Sequence, residues 1–371
     1  MRASIRLGKI LGVPIGLHWS WFLVFIMVSV SLSAGYFLVE TPELSFRIRW
    51  GAGILTSLLF FISVLAHELG HAVLALRNQI PVRSISLFLF GGVAQIGQEP
   101  PTPGVEFRVA LAGPLTSLGL AGFFALLGWV TSGVSILSAP SEWLARVNLA
   151  LAAFNMIPGF PLDGGRVLRS IFWHFTRNYR LATRLASTIG MVVALGFMAF
   201  GIYRLFNGDI FNGLWIVFIG WFLQNAASSS RAYAVIQHRL DGIKVAQVMS
   251  RDLDHVPGHI SLAQLVKDRL LPNGRHLFLV GEAGKPRGLL TLNEIAAIPR
   301  QDWDETTAEQ IMTPWSCMIH IPAEMGLWAA INLLESANLN QAPVVQGEEI
   351  TGLISKDQVM EYMEVHSKDK G

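Results

Sequence analysis

From Ile10 to Val39 the chain runs for 30 residues without an Asp, Glu, Lys or Arg. A segment that long and apolar is a bilayer segment, since about 20 apolar residues suffice to cross. It also exceeds the short apolar core of a cleavable signal peptide, although Arg2, Arg6 and Lys9 precede it. It reads as a retained span. That constrains the fold first, because inside a membrane every backbone N–H and C=O must be bonded within the protein. Six segments fit a span, near 18–38, 51–74, 108–131, 143–158, 185–204 and 210–228. The fourth is short and carries Arg146.

The charges divide the chain. Residues 1–240 hold 17 basic and 8 acidic side chains, and residues 241–371 hold 11 basic and 18 acidic ones. The first part is too poor in charge for an ordinary soluble domain, which excludes a wholly soluble enzyme. Its few basic residues lie between apolar runs, so no nucleic-acid partner is expected. The second part has the composition of a soluble module. Cys317 is alone, which excludes an intrachain disulfide or a Cys-rich zinc site and fits a reducing compartment. With the N-terminus cytoplasmic, eleven Lys and Arg flank the inner ends of the spans and four flank the outer ends. The positive-inside rule therefore puts both termini in the cytoplasm.

Span two ends in Ala66-His67-Glu68-Leu69-Gly70-His71. Ionisable side chains within an apolar helix are costly and mark functional sites by default. His67 and His71 are one helical turn apart, so both imidazoles leave one face and can share a metal. Glu68 lies between them, placed to act on a metal-bound water rather than to bind the metal. Catalytic zinc usually takes a third protein ligand. The other acids of the membrane part are Glu40, Glu43, Glu99, Glu106, Glu142, Asp163 and Asp209. The topology puts Glu40, Glu43, Glu142 and Asp209 on the outer side. Asp163 follows Asn155-Met156-Ile157-Pro158-Gly159-Phe160-Pro161-Leu162 on the inner side, where the prolines break the helix and Gly164-Gly165 permits close backbone approach. Glu99 and Glu106 stay open as alternatives, in a Pro-rich loop expected to be solvated. Ser84–Gly97 is apolar, β-prone and broken at Gly91-Gly92, which suggests a β-hairpin at the membrane edge.

The His67–His71 motif in a membrane helix, followed by Asn155…Pro158…Pro161-Leu162-Asp163-Gly164, resembles the site-2 protease family of intramembrane zinc metalloproteases over roughly residues 1–230. The resemblance implies one zinc ion per chain held by His67, His71 and Asp163, with Glu68 as the catalytic acid/base. It implies that Asn155 positions substrate or stabilises the reacting carbonyl. It also implies that the Gly91-Gly92 segment pairs with an unwound substrate strand, and Ala112-Gly113-Pro114 resembles a further family element. The implied substrate is a single-pass membrane protein, cut in regulated intramembrane proteolysis. The implied location is a bilayer, the inner membrane of a prokaryotic cell.

The acidic part repeats itself. Val245–Ser250 is similar to Ala308–Thr313, and Gly288–Thr291 to Gly352–Ser355, at offsets of 63 and 64 residues. Each unit reads as a short strand, a helix, two strands (His276–Val280 and Arg287–Thr291; Ala342–Val345 and Glu349–Ser355) and a helix. Registered repeats of this length are one supersecondary unit used twice, and the pair resembles tandem CBS domains, about 241–300 and 304–365. That resemblance implies one of two roles: an adenine-nucleotide site using Thr291, Glu294 and Ser355, or a purely structural or homodimer-forming pair. The family places an Asp three residues after the Thr or Ser, where this chain has Glu294 and Gln358.

The expected fold is thus a polytopic α-helical membrane protein of about six transmembrane helices with a membrane-edge β-hairpin (residues 1–230), followed by an α/β tandem CBS module (231–371). The alternative to a protease is a CBS-regulated channel or transporter. A transporter would spread polar residues along several spans near the midplane; here they gather at one end of two.

Overall fold

The computed structural model describes residues 5–89, 91–240, 242–251, 253–270, 277–282, 285–337, 339–347 and 349–367. The chain separates into two compact units, Met1–Ala234 and Val235–Gly371.

The helices that begin in the first unit are α1 (Ser20–Ser31), α2 (Phe37–Glu40), α3 (Phe46–Arg77), α4 (Pro103–Val130), α5 (Ser135–Asn155), α6 (Asp163–Thr176), α7 (Tyr179–Phe206) and α8 (Ile210–Leu240). A π turn at Leu32–Tyr36 joins α1 to α2, so Ser20–Glu40 acts as one rod. Five helices are long and apolar enough to cross a membrane: Ser20–Glu40, Phe46–Arg77, Pro103–Val130, Tyr179–Phe206 and Ile210–Ser228. The sequence suggests six. The remaining candidate, 143–158, falls in α5, whose 21 residues include Pro140 and a Glu142–Arg146 ion pair at 3.0 Å and which stops at Asn155. Its polar content, not its length, sets it apart.

Aromatic packing joins the first two rods. Trp21 stacks on Phe25 and meets Phe61 edge-on, both at 5.0 Å between centroids. Such pairs contribute about 0.5–1.5 kcal/mol each beyond their buried area. Leu126, Leu195, Phe211 and Leu214 are by contrast more than half exposed on the long helices, as expected of side chains that meet lipid instead of water.

A four-stranded sheet, in the order β1 (Ile5–Ile10), β2 (Val13–Leu17), β3 (Val82–Phe88), β4 (Gly91–Ile96), covers the last turns of α3. The hairpin expected over Ser84–Gly97 forms, with β3 and β4 antiparallel; Phe90 at its turn lies outside the described residues. The β1–β2 hairpin is additional. Its turn residues Leu11 and Gly12 both have positive φ, 52° and 81°, the backbone that matches the twist of two antiparallel strands. Val13, Ile15 and Ile85 pack with Ala72 of α3 in one buried cluster. The sheet is therefore fixed to the helix carrying the histidines, and β4 is one of its two edge strands, β1 being the other.

In the second unit β5 (His255–Val256), β6 (Leu277–Glu282), β7 (Lys285–Thr291) and β8 (Thr313–Pro314) form one sheet, and β9 (Ile321–Pro322), β10 (Gln341–Gln346) and β11 (Glu349–Ser355) another. His276, read from sequence as the first residue of a strand, lies outside the described residues; the strand begins at Leu277. The repeats are interleaved. Thr313 of the second pairs with Leu289 of the first, and Ser250 of the first bridges to Leu353 of the second. The two cores are shared in the same way: the one around Phe278, Val280 and Leu290 takes in Ala308 of the second repeat, and the one around Val344, Ile354 and Leu327 takes in Val245 of the first.

Candidate metal centre

His67 and His71 stand one turn apart near the end of α3, and both are buried. Asp163 is the first residue of α6, also buried, where the helix dipole favours a carboxylate. The loop before it turns tightly because Gly164 has no side chain: a Cβ there would lie 2.4 Å from the carbonyl oxygens of Met156 and Ile157. The three side chains, from segments 92 or more residues apart, converge. His67 Nε2 lies 3.2 Å and His71 Nε2 3.1 Å from Asp163 Oδ2, and the two Nε2 atoms are 3.3 Å apart. A tetrahedral ion with bonds of about 2.0–2.1 Å would hold its ligands roughly 3.3–3.4 Å apart. The spacing therefore fits zinc.

The outer contacts aim the donors. His71 Nδ1 is 2.7 Å from the Val109 carbonyl oxygen, which can only accept, so Nδ1 carries the hydrogen and Nε2 presents its lone pair inward. His67 Nδ1 is 2.9 Å from Ser117 Oγ. Such partners fix the ring and raise its basicity toward a metal. Gly113 lies beneath both rings: a Cβ built there would be 2.2 Å from His71 Nε2 and 2.6 Å from His67 Nε2. With two imidazole nitrogens and a carboxylate oxygen converging in a buried space, the group could hold a cation. Among the described residues, His67, His71 and Asp163 form the only group of three or more such side chains close enough to share a metal.

Glu68 points to the sheet side. Its Oε2 accepts the Ala94 N–H of β4 at 3.1 Å, and Gly92 makes room for it, since a Cβ there would lie 2.4 Å from Glu68 Cγ. Asn155 ends α5, its Nδ2 donating to the Leu151 carbonyl at 3.0 Å.

One sequence expectation needs correction. Glu106 is not in a solvated loop; it is fully buried in the first turn of α4, bonded to Arg169 of α6. Pro103 at the first helical position and Thr102, whose Oγ1 accepts the Val105 N–H, start the helix ahead of it. Glu99 does lie outside the helix, and accepts from the Tyr179 hydroxyl at 3.0 Å. Sequence reasoning missed the roles of Val109, Gly113 and Ser117; the signal available was Ala112-Gly113-Pro114.

In the CBS pair, Thr291 and Glu294 line a cavity of about 580 Å³ together with Thr313, Asn340 and Asp357, and Ser355 is not in that lining. Glu294 Oε2 accepts both the Thr291 N–H, at 2.9 Å, and the Thr291 hydroxyl. Gln358 Oε1 likewise accepts the Ser355 N–H at 2.9 Å. In both repeats the residue three places on caps its own turn.

Comparison with known proteins matches both parts of the chain to known families. The model of peptidase family M50 matches residues 55–198, and the CBS domain model matches 245–299 and 308–365. The chain is 34% identical to "Putative zinc metalloprotease sll0528" of Synechocystis sp., over 98% of this chain and 96% of that protein. It is 31% identical to "Putative zinc metalloprotease Rip3" of Mycobacterium tuberculosis, over 99% and 94%. The solved "Site-2 Protease from Methanocaldococcus jannaschii" is 29% identical, with a TM-score of 0.43, over 61% of this chain and 94% of that one. The chain is a multi-pass membrane protein that belongs to peptidase family M50, the site-2 protease family, and carries a tandem CBS pair.

Proposed function

We propose that residues 1–230 form an intramembrane zinc endopeptidase that cuts single-pass membrane proteins, and that residues 231–371 form its cytoplasmic regulatory module. The observation that carries this reading is the convergence of three buried donors, at tetrahedral spacing, on helices of a membrane protein. Zinc held by His67, His71 and Asp163 would polarise the scissile carbonyl and lower the pKa of the attacking water. Glu68, next to His67 on the same helix, takes that water's proton and returns it to the leaving nitrogen. Asn155 donates from Nδ2 to the reacting carbonyl after exchanging its bond to Leu151.

A membrane-spanning substrate arrives as a helix with its peptide groups bonded, so it must unwind before it can be cut. Helix-breaking residues in it lower that cost. The edge strand β4 offers the unwound segment replacement hydrogen bonds by strand addition, beside Glu68, which holds the Ala94 N–H. The basic flanks support cytoplasmic N- and C-termini in a prokaryotic inner membrane, with the site open to cytoplasmic water. The Thr291–Glu294 cavity is where an adenine nucleoside would bind in the CBS pair, and the pair is the surface through which two copies would associate.

Membranes of cells expressing the native protein and Glu68→Gln are compared by proteomics, alongside metal analysis of both purified proteins. Glu68→Gln should hold about one zinc per chain, like the native protein, while membrane-anchored precursor fragments accumulate. Identical fragment patterns would defeat the general-base role, and native protein lacking zinc would defeat the metal reading.

A further inference from the structure

The helix α4 touches the metal site along one face. Glu106 contacts α6, the Val109 carbonyl accepts from His71, Gly113 lies under both imidazoles, and Ser117 meets His67. At 100° per residue these four positions fall within an arc of roughly 80°. Three of the four act on the two histidines. The fourth reaches across to the helix that opens with the remaining ligand, Asp163.

That fourth contact is strongly built. Arg169 Nε donates to Glu106 Oε1 at 2.6 Å, and a second guanidinium nitrogen donates to the same oxygen. Glu106 is fully buried, and its Oε2 has no partner among the described residues. The guanidinium lies between two rings, 4.9 Å from the centroid of Phe160 and 4.8 Å from that of Tyr179. Phe160 belongs to the loop that delivers Asp163, and Tyr179 opens α7. One side chain thus ties together α4, α6, the loop before Asp163 and α7.

We propose that Glu106 and Arg169 are a positioning pair for the metal centre, setting the spacing between the helix that backs the histidines and the helix that presents Asp163. The proposal rests on the zinc reading above. A buried charge pair is a poor general stabiliser, because desolvation offsets much of its attraction. It is a good spacer, because a rigid planar guanidinium with two donors on one buried carboxylate oxygen and two aromatic rings against it has little freedom to shift. Metal ligation needs such a spacer, since bond lengths tolerate only about 0.2 Å. Neither residue touches the reacting atoms; both act through the placement of Asp163.

The test uses the purified full-length chain, with zinc affinity measured by chelator competition, the visible spectrum of the cobalt(II)-loaded protein, and Tm. Arg169→Lys keeps the charge but loses the fork, and Glu106→Gln keeps the shape but loses the charge. Each should bind zinc about tenfold or more weakly and shift the cobalt bands, which report ligand geometry and which a merely structural role would leave alone. In the Asp163→Asn background Arg169→Lys should cost no further affinity, since its route runs through that ligand. Should either charge variant fail to fold, Phe160→Leu and Tyr179→Leu each remove one stacking face and keep the ion pair; they should weaken zinc binding in the same direction. Zinc affinity within twofold of native and an unchanged cobalt spectrum in folded Arg169→Lys, or in both ring variants, would overturn the proposal. So would an Arg169→Lys effect that persists in full beside Asp163→Asn. Native protein that takes up no zinc overturns the metal reading and this proposal together, whereas native zinc binding beside an indifferent Arg169→Lys overturns the pairing alone.

Discussion

Adding one methyl group at Gly113 should remove the metal without touching a ligand. The Cβ of Gly113→Ala would sit 2.2 Å from His71 Nε2 and 2.6 Å from His67 Nε2, where ordinary contact begins at 3.4 Å. The two nitrogens must therefore retreat by roughly 1.2 and 0.8 Å, several times the 0.2 Å that a metal site tolerates. Neither ring is free to swing. His71 is held by the Val109 carbonyl at 2.7 Å and His67 by Ser117 at 2.9 Å, and both are only 3% exposed. The helix behind the new methyl is just as fixed. Overpacking of this kind costs about 1–3 kcal/mol in stability, so the protein should still fold. Displacing two of three ligands should lower zinc affinity by at least the ~100-fold upper range for disturbed outer contacts. The assay is metal content after dialysis against a chelator, followed by cleavage of a membrane-spanning substrate. Gly119→Ala on the same helix is the control: its Cβ would meet nothing within 4 Å, and it should keep zinc and activity. Full zinc and native cleavage in Gly113→Ala would refute the placement of the metal between these rings.

Other outcomes follow from the same contacts. Ser117→Ala removes the partner of His67 Nδ1 and should weaken zinc binding about 10–100-fold; chelator competition measures it. Gly92→Ala pushes on Glu68 Cγ rather than on a ligand, so it should slow cleavage while metal content stays at the native level. Asn155→Leu should lower kcat with zinc retained, and an unchanged kcat would remove Asn155 from the reaction. For the CBS pair, ATP or AMP should raise the Tm of the full chain if the Thr291–Glu294 cavity takes nucleotide, and Glu294→Ala should change the size of that shift.

The parts of this site that could be read from sequence were those written in side-chain type and short spacing. His67, Glu68 and His71 lie within five residues of one apolar helix, so periodicity and the cost of burying charge were enough to single them out. Asp163 lies 92 residues beyond His71 and needed topology and a resemblance to reach. The contacts supplied by Val109 and Gly113 were hidden for a physical reason: one acts through a backbone carbonyl and the other through the lack of a side chain. Glu106 looked solvated because Pro100, Pro101 and Pro103 precede it, yet Thr102 and Pro103 are themselves a helix start, which carried the acid inside. The β1–β2 hairpin is hidden in the sequence because β2 lies at the apolar edge of the first span, where its alternation merges into the run; Leu11-Gly12 is the local turn signal.

The single face of α4 also predicts how relatives can differ in length. Inserting or deleting one residue between Glu106 and Ser117 would rotate everything beyond it by about 100° and slide it by about 1.5 Å, turning part of that face away from the metal. The same change in the loop between Ile96 and Pro103, or between Val130 and Ser135, only alters slack in a connection. Gaps in an alignment of working enzymes should therefore fall in those loops and avoid this stretch. A chain that keeps both histidines and the aspartate yet changes length between positions 106 and 117 would be an early candidate for an inactive member.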